Sequence, residues 1–136
     1  MTKKECTDLS YKIVGLAIKV HKKLGPGLLE SVYEKCLRYE LENAGLNVGQ
    51  QQIIPIHYDD LVINSELRFD LLVNDTVVVE LKAVDSLLPV HKAQLLTYMK
   101  LLKKPQGLLI NFFTDNIARS MKPLVNNYYN LLEDDK

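Results

Sequence analysis

Residues 68–82 read Arg-Phe-Asp-Leu-Leu-Val-Asn-Asp-Thr-Val-Val-Val-Glu-Leu-Lys. Two apolar runs flank Asn74-Asp75-Thr76, which is the pattern of a β-hairpin. Asp70, Glu80 and Lys82 stand inside those runs. A carboxylate or ammonium buried without a partner costs several kcal/mol or more, so three charges in a core hairpin need a shared environment. Strand side chains alternate between faces. Glu80 and Lys82 therefore share one face with Leu72 and Val78, while Phe69, Leu71, Val73, Val77, Val79 and Leu81 pack beneath a helix on the other. Asp70 joins Glu80 in one register only. A two-residue turn at Asn74-Asp75 pairs Asp70 with Val79 and puts it on the wrong face; a three-residue loop over 74–76 pairs it with Glu80. A one-residue slip inverts every side chain, so a clustered acidic site requires the odd-length loop or an equivalent bulge.

In that register two readings compete. Asp70 and Glu80 can hold a hard divalent cation, Mg2+ or Mn2+, through their oxygens. Such an ion polarises a phosphodiester and lowers the pKa of a bound water. Lys82, on the same face, can orient that water or offset charge developing on the phosphate. The other reading is a salt bridge between Lys82 and a carboxylate at a sheet end.

A chain of 136 residues is long enough for one domain, 1–136, with a sizeable core. Its 47% apolar and 25% charged residues fit a soluble globular protein and exclude a disordered one. No apolar run approaches the roughly 18 residues that a membrane span needs. The N-terminal Met-Thr-Lys-Lys-Glu-Cys lacks the apolar core of a signal peptide, so a cytoplasmic location without membrane partners is expected. Cys6 and Cys36 form no CxxC pair and are expected to be free thiols.

Net charge is zero, yet unevenly spread. Residues 1–23 carry six lysines against Glu5 and Asp8, whereas residues 24–90 carry eleven acids against four bases. An acidic middle with basic flanks suits a metal site beside a phosphate-binding surface; ordinary solvated helix faces account equally well for any single lysine.

Leu9, Ile13, Leu16, Ala17, Val20 and Leu24 fall at helical spacing, with Thr7 or Asp8 available to cap the start. Gly25-Pro26-Gly27 ends that helix. A second helix is expected over about 28–44, burying Leu29, Val32, Tyr33, Cys36, Leu37 and Leu41. Strands are expected over 51–58, 67–73 and 77–84, with Pro55 marking an edge or bulge, Asp59-Asp60 a turn and 61–64 a short extension. Pro89 opens a helix reaching about Leu102, and 107–113 reads as a buried strand before a last helix whose start is open, with Pro123 able to begin a separate turn through Leu132. The order predicts an α/β sandwich with a mixed sheet.

Further residues bring in a resemblance. Gly27-Leu-Leu-Glu30-Ser-Val-Tyr33 resembles the signature of the GxxExxY family, in the PD-(D/E)XK nuclease-like superfamily. The likeness extends through His21, Asp70, the Glu80-Leu-Lys82 triplet and His91-Lys-Ala-Gln94-Leu-Leu-Thr-Tyr98 to the apolar run 107–113, about residues 10–115 in all. It implies a restriction-endonuclease-like αβββαβ core, a mixed central sheet flanked by helices. It also implies the site: Asp70 as the motif aspartate, Glu80 and Lys82 as the (D/E)XK pair, and Glu30 as the acid on the preceding helix. Gln94 and Tyr98 match a QxxxY element. Phe69 replaces the motif proline, and 59–66 lacks the glycine that relatives tend to have there.

His91, Gln94 and Tyr98 stand at i, i+3 and i+7 beside an apolar stripe of Leu95, Met99 and Leu102. They border either a cleft or only a half-buried boundary. Tyr33 can face the same cleft as Glu30 or simply pack with its hydroxyl bonded. His21 can bind phosphate or serve structure alone.

The expected function is a metal-dependent nuclease acting on DNA, with RNA as the second choice of substrate. Asp70, Glu80, the Leu81 carbonyl and Glu30 would serve Mg2+ or Mn2+; Lys82, with Gln94 and Tyr98 in support, would serve catalysis; His21, Tyr33 and His91 would serve substrate. The competing expectation is a catalytically inactive nucleic-acid- or protein-binding module on the same scaffold. A homodimer that completes the groove is a further option.

Overall fold

The computed structural model describes residues 1–135; Lys136, the last residue of the expected domain, lies outside them. Helix α1 (Lys3–Leu24) starts earlier than Thr7 or Asp8 suggest, because Thr2 and Glu5 cap it reciprocally. The Thr2 hydroxyl accepts from the Glu5 N–H at 3.1 Å, and the Glu5 carboxylate accepts from the Thr2 N–H at 3.4 Å. Gly25, at φ 72°, ends the helix by donating to the His21 carbonyl. Helix α2 (Glu30–Asn43) buries Tyr33, Leu37 and Leu41, with Cys36 half-buried. Leu29 is 75% exposed and Val32 also faces solvent, contrary to expectation: Leu29 precedes the first turn, and Val32 lies off the buried stripe.

Strands β1 (Val48–Gln50), β4 (Leu71–Val73), β5 (Val77–Lys82), β6 (Gln106–Asn111) and β7 (Lys122–Val125) form a five-stranded sheet in the order β1-β4-β5-β6-β7. Only β5 and β6 run parallel, joined by helix α3 (Pro89–Leu102). The α2-β1-β4-β5-α3-β6 succession supplies the expected αβββαβ core.

The expected strand over 51–58 is not one strand. Pairing of β1 with β4 continues irregularly to an Ile53–Arg68 bridge and then breaks around Pro55. Strands β2 (Ile56–Tyr58) and β3 (Leu61–Ile63) pair only with each other, across the Asp59-Asp60 turn. The expected strand over 67–73 shortens to β4 for a related reason, a bend at Asp70. The last helix is corrected as well. Helix α4 (Ile117–Ser120) is one turn, β7 includes Pro123 on the sheet edge where a missing N–H is tolerated, and α5 (Asn127–Asn130) follows.

Both sheet faces are covered. Helices α1 and α2 pack on Leu71, Val73, Val77, Val79, Leu81, Leu108 and Ile110. Helix α3 packs through Leu95, Tyr98 and Met99 on Val78 and Leu109. Gly107 lets α3 approach this closely: a Cβ there would sit 2.7 Å from Met99 Sδ. Phe69 departs from its expected face. It joins the α3 side, because the bend at Asp70 interrupts the alternation between Phe69 and Leu71. Each fully buried Val or Leu contributes about 1.5–3 kcal/mol, so the apolar runs of β4 and β5 anchor the hairpin that carries the charges. No helix is long and apolar enough to cross a membrane among the described residues.

Candidate active site

Loop 74–76 decides where the acids go. Asn74 and Asp75 both take left-handed φ, 50° and 53°, which Asn and Asp tolerate best after glycine. Thr76 closes the turn through its N–H to the Val73 carbonyl, and its hydroxyl donates to the Asn74 carbonyl. Three loop residues give the pairs Val73–Val77, Leu72–Val78 and Leu71–Val79. One step further along that register Asp70 lies opposite Glu80. There the Asp70 N–H donates to a Glu80 carboxylate oxygen at 3.1 Å, and the Leu81 N–H donates to Asp70 Oδ2 at 2.8 Å. Glu80 thus holds the Asp70 backbone and Asp70 the backbone of Leu81, next to Glu80, across the hairpin.

Electrostatics follow from that proximity. Glu80 is only 5% exposed. Burial first, and the Asp70 charge second, push its carboxyl up from 4.5 to about 9, with Lys82 opposing. Lys82 lies on the same strand face, half-buried, and forms no ion pair among the described residues. The salt-bridge reading of the triplet therefore finds no support.

Glu34, which the sequence reading passed over, joins this cluster. Its side chain accepts from Gln50 Nε2 at 2.6 Å and from Gln51 Nε2 at 2.8 Å. Gln51 Nε2 also donates to Asp70 Oδ1 at 3.0 Å, so one amide bridges the two acids. Arg38 steadies the outer amide through Gln50 Oε1 at 2.7 Å. Burial raises the Glu34 pKa, Asp70 adds to the rise, and the Gln50 and Gln51 hydrogen bonds oppose it. The signal was present: Glu34 sits one helical turn after Glu30, and three glutamines fill 50–52.

Glu30 reaches the same end of the sheet but makes another contact. Its carboxylate accepts from the Ala83 N–H at 3.2 Å, just beyond Lys82. Tyr33 is fully buried, stacks on Phe112 at 4.3 Å, donates to the Gly25 carbonyl and accepts from the Leu28 N–H. Glu30 thus braces the loop after Lys82, and Tyr33 the loop between α1 and α2. Asn111, paired with Lys82 on β6, was also passed over. Its side chain holds the loop after Lys82 through Val84 N–H at 3.1 Å and Val84 O at 2.8 Å.

Helix α3 contributes Tyr98, 6% exposed. Burial and then the Glu80 charge raise its pKa, and Gln94 Nε2 donates to its hydroxyl at 2.9 Å. Two expected substrate residues are engaged elsewhere: His21 Nε2 bonds the Thr114 carbonyl at 2.7 Å, and His91 Nδ1 accepts from the Leu88 N–H at 3.0 Å at the start of α3. The structure therefore brings together Asp70, Glu80, Glu34, Lys82 and Tyr98. Glu30, Tyr33, His21 and His91 hold the surrounding loops and helices. Among the described residues no three His, Cys, Asp or Glu side chains form a group that could hold an ion unaided.

The family model of the PD-(D/E)XK nuclease superfamily matches residues 7–123, from α1 to the start of β7. No curated protein and no solved structure gives a significant match. With that match over most of its length, and with a five-stranded mixed sheet flanked by helices consistent with a restriction-endonuclease-like fold, the chain belongs to the PD-(D/E)XK nuclease superfamily.

Proposed function

We propose that this chain is a metal-dependent nuclease that hydrolyses phosphodiester bonds of DNA, placed within the superfamily in the GxxExxY branch by Gly27, Glu30 and Tyr33. The observation that carries the reading is the convergence of Asp70 and Glu80 on a face with Lys82, where neither acid has an ammonium partner among the described residues. Two carboxylates facing each other, with Glu34 held off by the Gln51 amide, fit Mg2+ or Mn2+, which bind through one or two carboxylates and complete their shell with water and phosphate oxygens. A pair of repelling acids, one almost wholly buried, is also stabilised by a divalent charge. Asp70, Glu80 and the Leu81 carbonyl would hold the ion, with Glu30 or Glu34 acting through water. When bound, the ion would supply Lewis acidity and an acidified water.

The protein's own groups do the rest. Lys82 meets the phosphate or the attacking water with an ammonium not committed to a carboxylate. Tyr98, held by Gln94, donates a hydroxyl from the α3 side of the cleft. Gln51 fixes the orientation of Asp70, and Glu30 and Asn111 fix the loop behind Lys82. The test is a cleavage screen over single- and double-stranded DNA and RNA with Mg2+, Mn2+ or chelator, run beside Glu80→Ala and Lys82→Ala. Metal-dependent cleavage of DNA, lost in both variants, is expected. Cleavage undiminished by either variant overturns the assignment, and saturable metal binding with no cleavage of any substrate leaves the binding module as the better account.

A further inference from the structure

The candidate active site lies where β5 ends; a cavity lies where β6 begins. It is a gap of about 520 Å3 between α1, β6 and the segment from α4 to α5. Ser10 and Val14 line it from α1, Gln106 and Leu108 from β6, and Ala118 and Met121 from beyond β6. Its size falls in the range of small-molecule pockets, roughly 300–1,000 Å3. None of its lining residues carries a charge, although a quarter of the chain does. That lining disfavours phosphates, nucleotides and metal ions and favours a neutral guest.

Five polar side chains stand among the apolar walls: Thr7 and Tyr129 bond each other at 3.4 Å, Tyr11 is exposed, and Ser10 and Gln106 are the two that are buried. Ser10 is 6% exposed, and its buried hydroxyl has no hydrogen-bond partner among the described residues. Gln106 is equally buried; its side-chain oxygen accepts from the Cys6 thiol at 3.1 Å, which leaves its N–H groups to donate to a guest. A buried hydroxyl without a partner is uncommon in a folded core and marks a place where a polar atom is due. An apolar pocket with a few convergent polar groups is the usual form of a small-molecule site.

We propose that this cavity binds a neutral, mostly apolar small molecule carrying one hydrogen-bonding group, which Ser10 and Gln106 engage. The proposal is independent of the nuclease reading, since it involves no residue of the cleft and its test reads no cleavage.

The probe is N-phenylnaphthylamine, neutral and apolar with a single N–H, whose fluorescence rises on leaving water. Saturable enhancement is expected with the full chain. Val14→Trp and Ala118→Phe, which each grow into the gap, should weaken it about tenfold or more. Tyr58→Ser, on the exposed β2–β3 hairpin, should leave it unchanged. Circular dichroism reports whether each variant folds, and one folded filling variant suffices. Amide shift changes on adding the probe to the unaltered chain, expected around Ser10 and Gln106, need no variant at all. Absence of saturable enhancement, equal affinity in a folded filling variant, or shift changes centred on the hairpin would each overturn the proposal.

Discussion

Val77, Val78 and Val79 begin β5, and Glu80, Leu81 and Lys82 end it. Both halves pair in register with β6, and the first half also with β4. The first half buries valines on both faces and anchors the sheet. The second half buries a carboxylate next to another and leaves an ammonium without an acidic partner among the described residues, a composition that weakens a sheet. The same strand thus supplies stability at one end and gives some of it up at the other. What the second half gains is a close pair of acids beside an ammonium, whose strain a proton on Glu80 relieves in the metal-free chain and a bound cation would relieve in its place. Substitutions in the two halves should therefore move activity and stability in different directions.

The largest expected effect is on cleavage. Lys82→Ala should lower metal-dependent cleavage by about a hundredfold or more, because it removes the one ammonium facing the cleft from β5. The melting temperature should stay close to that of the unaltered chain, as Lys82 has no ion pair to lose. Leu71→Ala, on the cross-strand partner of Val79, should do the reverse. It should destabilise the fold by about 2–5 kcal/mol in denaturant unfolding through the cavity left behind.

Acidity sharpens the contrast. The folded chain keeps a proton on Glu80 up to about pH 9, whereas an unfolded chain releases it near 4.5. Between those values the folded state holds more protons, so stability falls as pH rises. Glu34, raised in the same direction, adds to the fall. The metal-free chain should melt lower at about pH 8 than at about pH 5, and Glu80→Gln should make that slope shallower while abolishing cleavage. Melting curves of the two proteins across that window are the check, and equal slopes would break the comparison.

Smaller effects come from the periphery. Tyr98→Phe keeps the ring in the α3 packing and loses the hydroxyl that Gln94 holds, so cleavage should drop by only about several-fold while the fold survives. Val62→Thr, on the exposed β2–β3 hairpin, should change stability by about 0.5 kcal/mol or less, since it sits outside both cores.

The fold was legible where periodicity and burial agree. The stripes of α1 and α3 and the two-sided apolar runs of β5 and β6 could be read from residue order, while the choice between a two- and a three-residue loop at 74–76 could not. The hairpin β2–β3 misled because its Ile, Tyr, Leu and Val residues look like core strands yet remain exposed, and alternation cannot tell a paired edge from a projecting ribbon. Strand β7 was hidden by Pro123, which argues against a strand except at an edge. At the site, alternation alone put Glu80 and Lys82 on one face, whereas Asp70 joined them only on the condition of an odd-length loop, which the structure supplies. Glu34 and Asn111 could not, because their roles depend on where α2 and the loop after Lys82 come to rest. Glu30 and Tyr33 stood out as a motif, yet motif spacing does not distinguish a residue that touches substrate from one that braces a loop.

The most direct measurement is a calorimetric titration of Mn2+ into the metal-free chain beside Asp70→Asn. The account predicts one saturable site that disappears in the variant, because the cation needs both carboxylates facing each other across the hairpin. Heat of binding that is absent from the unaltered chain, or undiminished in Asp70→Asn, would contradict it.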